Sequence, residues 1–341
     1  MADSLPVLPL DTRGRSLHDL RISVTDRCNF RCVYCMPREF FGRDHAFLPR
    51  AELLTFEEIA RLVRIFTRLG VGKVRLTGGE PLVRRELASL LRMLADTPGV
   101  QDLTLTTNGV LLADQAAVLR EAGLQRVTIS LDADDDETFM RMNDAGVPVA
   151  RVLAGIHAAE AAGLGPIKLN MVVKRGWNEH AVLPMARRFH GTARVLRFIE
   201  YMDVGHSNGW QLDEVVSADE ILAMLSAEFA LEPMPPTHPG EVAERYRYLD
   251  GGGEIGVIAS VSRPFCGDCS RARLSADGQL YTCLFASTGH DLRALLRGGA
   301  TDTELEAEVR RVWSSRDDRY SEIRSMETPG LPKVEMSYIG G

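Results

Sequence analysis

The chain has 341 residues, 45% of them hydrophobic, and a formal net charge of -7 at pH 7. That length and apolar content suffice for one large domain and a smaller one. The acidic balance argues against a general nucleic-acid-binding surface, which usually carries a basic excess, and no apolar stretch is long enough to span a bilayer. Any anionic ligand must therefore meet a local cluster of Lys and Arg.

Short apolar strands alternate with amphipathic helical segments, which is typical of repeated βα units and a parallel sheet. The predicted strands are 20–25, 73–77, 102–106, 126–130, 167–173 and 195–199. The predicted helices between them are 56–69, 85–96, 113–122, 149–162 and 179–189. Residues 233–240 are predicted as a Pro-rich linker, and strands near 245–249 and 254–258 are predicted to cover the open side of a barrel. Such βα repeats fit either an open doubly wound sheet or a partial barrel.

The side chains along each predicted strand alternate between an apolar and a polar face. In the first strand Ile22 and Val24 share one face, whereas Arg21 and Ser23 share the other. Strands covered by helices on both sides should be apolar on both faces, so the polar face indicates a barrel with a wet lumen. We therefore predict the α/β class, with a partial (β/α)6 barrel and a C-terminal α+β extension.

Several cationic side chains fall on the predicted polar face, namely Arg21, Lys73, Arg75, Lys168 and Arg197. Each one alone is explained equally well as a solvated strand end. Together, on lumen positions of an acidic protein, they indicate a phosphorylated substrate, because charge-assisted hydrogen bonds to phosphate oxygens are strong.

The cysteines form two triplets, Cys28, Cys32, Cys35 and Cys266, Cys269, Cys283. Thiolates are the usual ligands of a 4Fe-4S cluster, and three of them leave one iron free. Disulfides are disfavoured because the start of the chain shows no secretion signal, which predicts a cytoplasmic enzyme. A closed structural zinc site needs four ligands. His45 is a distant candidate for the first triplet, and His290 keeps a Cys3His site open for the second.

The segment Gly78-Gly79-Glu80-Pro81 directly follows the second predicted strand. Adjacent glycines let the backbone approach a ligand closely, and the Glu80 carboxylate can accept a hydrogen bond from an ammonium group. On the two glycines alone, an ordinary βα turn is the preferred explanation.

The C-x3-C-x2-C loop of the first triplet, with Tyr34 before its last cysteine, resembles that of the radical S-adenosylmethionine (SAM) enzymes, as does Gly78-Gly79-Glu80-Pro81. This resemblance implies a partial barrel of the radical SAM type. It implies that a 4Fe-4S cluster binds SAM and that one electron cleaves it to a 5′-deoxyadenosyl radical. The cofactor carries the hard chemistry, while the protein orients it and excludes water.

From Asp19 to the C-terminus the chain is similar to one family within that superfamily, the GTP 3′,8-cyclases that begin molybdenum cofactor biosynthesis. The matching segments are 21–28, 106–109, 130–132, 198–203, 266–273, Cys283 and 340–341. The resemblance implies a lyase that converts GTP to 3′,8-cyclo-7,8-dihydro-GTP. It also implies two 4Fe-4S clusters, one on each triplet, with the open iron of the second meeting the guanine base.

The resemblance assigns individual residues as well. Contacts with SAM are implied for Tyr34, Gly79, Ser130 and Met202. Contacts with GTP are implied for Arg21, Lys73, Arg75, Thr106, Lys168, Arg197, Arg271, Ala272 and Arg273. Catalytic roles are implied for Arg21, Arg271, Arg273 and the tail residues that reach into the active site, Gly340 and Gly341.

These features predict an N-terminal segment at 1–18, a radical SAM barrel at 19–232, and a second-cluster domain with its Gly-Gly tail at 233–341. The partners implied are the substrate GTP, an electron donor and the next enzyme of molybdopterin synthesis, with neither a nucleic acid nor a membrane and with a homodimer left open. A radical enzyme that modifies peptides is the nearer alternative, although such enzymes usually carry more cysteines in the extension. A nonenzymatic zinc-binding protein is the remote one.

Overall fold

The computed structural model describes residues 8–238, 240–324 and 333–340. Within these ranges the strands are β1 (Asp19–Ser23), β2 (Lys73–Thr77), β3 (Asp102–Thr107), β4 (Arg126–Ser130), β5 (Lys168–Val173), β6 (Val195–Glu200), β7 (Leu231–Met234), β8 (Glu244–Tyr248), β9 (Glu254–Ile258), β10 (Arg271–Leu274), β11 (Gln279–Tyr281) and β12 (His290–Asp291).

The helices in the same part of the chain are α1 (Phe56–Arg68), α2 (Leu87–Ala95), α3 (Leu112–Glu121), α4 (Asp136–Asn143), α5 (Val149–Ala161), α6 (Val182–Phe189), α7 (Ala218–Ser226), α8 (Leu292–Arg297), α9 (Asp302–Ser314), α10 (Tyr320–Ile323) and α11 (Met336–Ile339). The predicted barrel strands and helices are confirmed to within three residues at each end. Among these helices, none is long and apolar enough to cross a membrane.

Strands β1 to β6 lie side by side in chain order, and each pairs in parallel with the next. The register sets Arg21 of β1 opposite Arg75 of β2, and Thr106 of β3 opposite Thr128 of β4. Because paired residues point to the same face of a sheet, the polar side chains of neighbouring strands gather on one face. The predicted α/β class and the polar lumen are thereby confirmed.

The opposite face of the sheet is apolar and fully buried. Leu20, Ile22, Val74, Leu76 and Leu105 have no exposed area and belong to the same core as the apolar residues of helices α1 to α3. Burying a side chain of this kind stabilises the fold by about 1.5–3 kcal/mol relative to leaving it exposed. Helices α1 to α3 therefore pack against this face and leave the polar one to line a cavity.

The C-terminal part of the chain extends both edges of this sheet. On one edge β10 pairs in parallel with β1, followed by antiparallel β11 and β12. On the other edge β9 pairs in parallel with β6, followed by antiparallel β8 and β7. The strands predicted at 245–249 and 254–258 are confirmed, and they lengthen the sheet because β9 pairs with β6 and β8 pairs with β9. The second triplet is brought beside β1 by the same arrangement.

The predicted linker at 233–240 is wrong at its start. Pro233 lies in β7, where it is paired with Tyr246 of β8. A proline has no N–H to donate, so it is tolerated in a strand only at an edge or a bulge, and β7 is the last strand of the described sheet. The edge position of β7 therefore explains why the strand tolerates Pro233.

Candidate active site between two cysteine triplets

All six cysteines line one central cavity of about 280 Å³. The first triplet follows the carboxyl end of β1. The second lies near the amino end of β10, and parallel pairing sets Arg271, the first residue of β10, beside Asp19, the first residue of β1. The two triplets therefore lie at opposite ends of the lumen, with the polar strand face between them.

The six cysteines are free thiols, so they form no disulfides. The two histidines considered as zinc ligands lie elsewhere. His45 packs between the rings of Phe41 and Phe47, each 4.7 Å away between centroids, and His290 is exposed in β12. Within 8–238, 240–324 and 333–340, no three His, Cys, Asp or Glu side chains are grouped as ligands of a single ion.

The loop that carries the first triplet is held by its own arginine. Arg31 donates from Nη1 to the carbonyl of Cys28 at 2.9 Å, and from Nε to the carbonyl of Phe41 at 2.6 Å. Burial, together with the charge of Glu80, raises the pKa of the Cys28 thiol to about 12. A buried thiolate of this kind needs a cationic partner, which a bound metal centre supplies.

Tyr34 links this loop to the carboxyl end of β4. Its hydroxyl donates to Oδ2 of Asp132 at 2.8 Å, and the backbone N–H of Val172 donates to Oδ1 at 3.0 Å. Burial raises the pKa of Asp132 to about 6. The aromatic ring beside the first triplet is therefore fixed by a buried hydrogen bond.

The adjacent glycines after β2 are required by a backbone contact with the cysteine loop. A Cβ atom at Gly78 would lie 2.4 Å from the carbonyl oxygen of Thr25, and one at Gly79 would lie 2.4 Å from that of Arg27. The N–H of Gly79 donates to the Thr25 carbonyl at 2.7 Å. Only glycine permits this approach, so the turn after β2 and the cysteine loop fit together as one surface of the cavity.

Glu80 is buried at the edge of the cavity and ties two strand ends together. Its carboxylate accepts from the N–H of Leu82 at 3.0 Å, and from Thr107 Oγ1 and the N–H of Asn108 at 2.7 Å each. Burial raises its pKa to about 7. An ionised carboxylate offers about four acceptor sites, so these three donors leave capacity for one more.

Between the triplets, the lumen collects buried guanidinium groups. Arg75 donates from Nη1 to Thr106 and Thr128 at 3.0 and 3.1 Å. The Nε atoms of Arg21 and Arg75 are buried and have no hydrogen-bond partner among the described residues. Burial and the neighbouring charge of Arg75 together lower the pKa of Arg197 to about 9. Buried guanidinium N–H groups without partners favour an anionic ligand.

Other residues implied by the resemblance lie at different depths. Lys73 lines a second cavity, of about 160 Å³, at the amino ends of the strands, where its Nζ is 3.6 Å from Asp19 and 3.8 Å from Asp102. Lys168 lies outside the lining of the central cavity, and burial together with Arg197 lowers its pKa to about 8. Ala272 packs its side chain into the core, so any ligand contact there must come from its backbone.

The remaining implied residues are brought together. They line the central cavity as a set of three arginines, one threonine and the four SAM-site positions: Arg21, Arg271, Arg273, Thr106, Tyr34, Gly79, Ser130 and Met202.

The second triplet carries a strongly polarised thiol. Arg271 donates from Nη2 to Sγ of Cys269 at 3.4 Å. Burial raises the pKa of Cys269, but the charges of Arg271 and Arg316 outweigh this and bring it down to about 6. Burial raises the pKa of Cys283 to about 12. Arg316 also lines the cavity; the sequence analysis missed it, because no motif surrounds it.

The C-terminal segment 333–340, which we call the tail, enters the site. The carbonyl of Gly340 accepts a hydrogen bond from Arg273, and a Cβ atom at Gly340 would lie 2.3 Å from Cγ2 of Thr77. Both neighbours line the central cavity, as does Met336 of the tail. Gly341 lies outside the described residues.

The start of the tail is anchored on the loop after β6. Lys333 Nζ donates to Oδ2 of Asp203 at 2.8 Å, and both side chains are buried. Glu335 accepts from the N–H of Ser207 at 3.1 Å and from its hydroxyl at 2.9 Å. The same loop carries Met202, so the tail and the SAM-site position rest on one short segment.

Comparisons with known proteins agree with this geometry. The chain matches the Radical SAM superfamily over residues 22–189 and Molybdenum Cofactor Synthesis C over residues 194–322. It is 54% identical to a protein of Acidothermus cellulolyticus named GTP 3′,8-cyclase, with 97% of this chain and 98% of that one covered. It is 48% identical to a protein of the same name from Staphylococcus epidermidis, with the same shares covered.

Among solved structures, the chain is similar to that of SuiB from Streptococcus suis bound to S-adenosylmethionine, with a TM-score of 0.59. The alignment covers 91% of this chain and 68% of that one at 14% identity, so this likeness concerns the fold alone. The sequence matches, in contrast, extend over nearly the whole length of both chains. The chain therefore belongs to the radical SAM superfamily and, within it, to the family of the proteins named GTP 3′,8-cyclase.

Proposed function

We propose that this protein converts GTP to 3′,8-cyclo-7,8-dihydro-GTP with a 5′-deoxyadenosyl radical derived from SAM, as the first step of molybdenum cofactor biosynthesis. The observation that carries the proposal is a single lumen with three free thiols at each end and buried, unpartnered guanidinium atoms between them. Relatives named for this activity align over nearly the whole chain.

The first triplet would hold the 4Fe-4S cluster that SAM requires. Cys28, Cys32 and Cys35 provide three thiols on one loop, and burial of the loop favours thiolates only in contact with a cationic centre. Bound there, the cluster supplies the electron for the cleavage of SAM. The chain's own contribution is to position the cosubstrate through Tyr34, Gly79, Ser130 and Met202, with the free acceptor site of Glu80 directed to an ammonium group.

The middle of the lumen would bind the phosphates of GTP. Arg21, Arg75 and Arg197 supply the buried cations, with Thr106 beside Arg75. Lys73 and Lys168 lie nearer the amino ends of the strands, outside the lining of the central cavity, and their contact with GTP stays a prediction. Removal of a hydrogen atom from C3′ needs no strong general base, so holding the ribose at a fixed distance from the first triplet accounts for most of what these residues do.

The second triplet would hold a second 4Fe-4S cluster on the base side of GTP. Arg271 and Arg273 lie between this triplet and the lumen, and the backbone of Ala272 runs between them. Gly340, held by Arg273, would complete the wall next to the substrate, and the role implied for Gly341 stays a prediction. The division of the chain into 1–18, 19–232 and 233–341 stays a prediction, as do the electron donor, the next enzyme of the pathway, a homodimer and the cytoplasmic location.

Anaerobically reconstituted protein, incubated with GTP, SAM and dithionite, should form 5′-deoxyadenosine only when GTP is present. The matched control is the Cys32→Ala variant, which should form none. Formation of 5′-deoxyadenosine at the same rate without GTP would contradict the assignment of the substrate.

A further inference from the structure

Two buried arginines lie next to the second triplet, one from each end of the chain. Arg15 precedes β1 and Arg316 follows α9, and their side chains are 3% and 1% exposed. Both pair with Oδ2 of Asp11, at 2.6 Å from Nε of Arg15 and 3.1 Å from Nη1 of Arg316. We call Arg15 and Arg316 the arginine pair.

The arginine pair holds the backbone on which the three thiols stand. Arg15 donates from Nη1 to the carbonyl of Cys266 at 2.7 Å. Arg316 donates from Nη1 to the carbonyl of Cys269 at 2.7 Å and from Nε to that of Thr282, the residue before Cys283, at 3.1 Å. These hydrogen bonds therefore fix the backbone at or next to each of the three cysteines, although the arginines and the cysteines lie far apart in sequence.

Further contacts fix the arginines themselves. The guanidinium carbon of Arg316 lies 4.6 Å from the ring centre of Trp313, a favourable cation–π distance. The indole N–H of Trp313 donates to the carbonyl of Arg15 at 3.0 Å. Side chains that are already held in one conformation lose little conformational entropy when a ligand binds.

The charge balance of this cluster is incomplete without an anion. The two guanidinium groups share one fully buried carboxylate, that of Asp11, while Asp318, 3.3 Å from Arg316, is partly exposed. Arg15 Nη2 is buried without a hydrogen-bond partner in the described ranges. An excess of buried positive charge is costly unless negative charge lies nearby, and three thiolates supply it.

We propose that Arg15 and Arg316 are positioning residues for the second triplet. They hold the three thiols in place before metal binds, and their positive charge raises the reduction potential of the cluster that the triplet binds. Hydrogen bonding and charge around a metal site are known to tune both its affinity and its potential. The inference rests on the proposed function, in which this triplet carries a 4Fe-4S cluster.

The test uses full-length protein in which Cys28, Cys32 and Cys35 are replaced by Ala, so that only the second triplet can bind iron. Arg316→Gln and Arg316→Lys are compared in this background with Arg311→Gln, whose arginine is on the exposed side of α9, with 60% of its side chain exposed. After anaerobic reconstitution, iron, sulfide and the midpoint potential of the paramagnetic signal are measured.

The background and Arg311→Gln should bind about four irons per chain, since a cubane holds four. Arg316→Gln should bind less than half of that, and its remaining cluster should have a more negative potential. Arg316→Lys should keep the potential close to that of the background while binding less iron. A lysine ammonium keeps the positive charge but cannot reproduce the planar set of N–H donors with which Arg316 contacts the carbonyls of Cys269 and Thr282.

Unchanged iron and potential in Arg316→Gln would overturn the inference. Arg316→Gln is also made in a protein in which Cys266, Cys269 and Cys283 are replaced by Ala. In that protein the first triplet should still bind about four irons. A loss of iron there would mean a general folding defect and would equally overturn the inference. A background protein that binds no iron with both arginines intact overturns the second cluster itself, and this is measured before any arginine is changed.

Discussion

Replacement of Asp203 by Asn is expected to release the tail from the lumen. The Asp203 side chain is 2% exposed and accepts from Lys333 Nζ at 2.8 Å, from Tyr320 Oη at 2.6 Å and from Arg324 Nε at 2.9 Å. Asparagine keeps the size but removes the charge and turns one acceptor into a donor. The buried ammonium of Lys333 is left without its counter-ion.

The size of the effect follows from the burial of the pair. Removing one partner of a buried ion pair costs about 3–5 kcal/mol, and every 1.4 kcal/mol is about tenfold in an equilibrium constant. The ratio of docked to undocked tail should therefore fall by at least about 100-fold. Because the tail is a terminal segment, most of the barrel should keep its stability.

Hydrogen exchange of the C-terminal peptide, measured by mass spectrometry, reports the docking of the tail directly. Asp203→Asn should lose the protection of residues 333–340 and should form little cyclised product while it retains its iron. The control is Asp213→Asn, since Asp213 is exposed in the same stretch of the chain. Protection equal to that of the parent protein would refute the role of this ion pair.

The pH dependence of docking has a definite sign. Burial raises the pKa of Asp203, but hydrogen bonds from Lys333 and Tyr320 outweigh it and hold the pKa below the ordinary value of 3.8. A carboxyl of this kind stabilises the folded arrangement above its unfolded pKa and loses that contribution as the pH falls. Exchange protection of the tail should therefore persist at neutral pH and decline only in acid.

Three further predictions concern the cavity. Gly79→Ala should lower the free energy of unfolding in denaturant by about 1–3 kcal/mol through overpacking and reduce iron at the first triplet, because its Cβ would lie 2.4 Å from the Arg27 carbonyl. Burial raises the pKa of Glu80 from 4.5 to about 7, so the free energy of unfolding should fall as the pH rises between these values; Glu80→Gln should remove that part of the slope. Deletion of Gly340 and Gly341 should abolish cyclisation with the iron content unchanged, and full activity of the shortened protein would contradict a role for the tail.

The barrel and the polar face could be predicted from the sequence because period-two alternation is a local property. Ile22 against Arg21 and Ser23 is enough to assign the faces of β1. Depth along the lumen could not be predicted in the same way. Lys73 and Arg75 share a face, yet Lys73 lies one layer nearer the amino ends of the strands, in the second cavity. Alternation assigns each side chain to a face of the sheet but does not show which cavity that face lines at a given depth.

The C-terminal elements were largely missed for a different reason. Strands β11 and β12 have only three and two residues, too few for any periodicity, and they are held by pairing with β10. The arginine pair is invisible in sequence because Arg15 and the carbonyl of Cys266 are 251 positions apart. Helix α9 does carry a local signal in the sequence, since Thr301 and Glu304 form a capping box at its start.

The most direct test of whether the lumen brings GTP to the second triplet is electron paramagnetic resonance. Spectra of the anaerobically reconstituted, dithionite-reduced protein are recorded with and without GTP. The parent protein should hold about eight irons per chain, as two cubanes require, and GTP should change the signal that remains when Cys28, Cys32 and Cys35 are replaced by Ala. A signal from the second triplet that is indifferent to GTP would contradict the placement of the substrate between the two triplets.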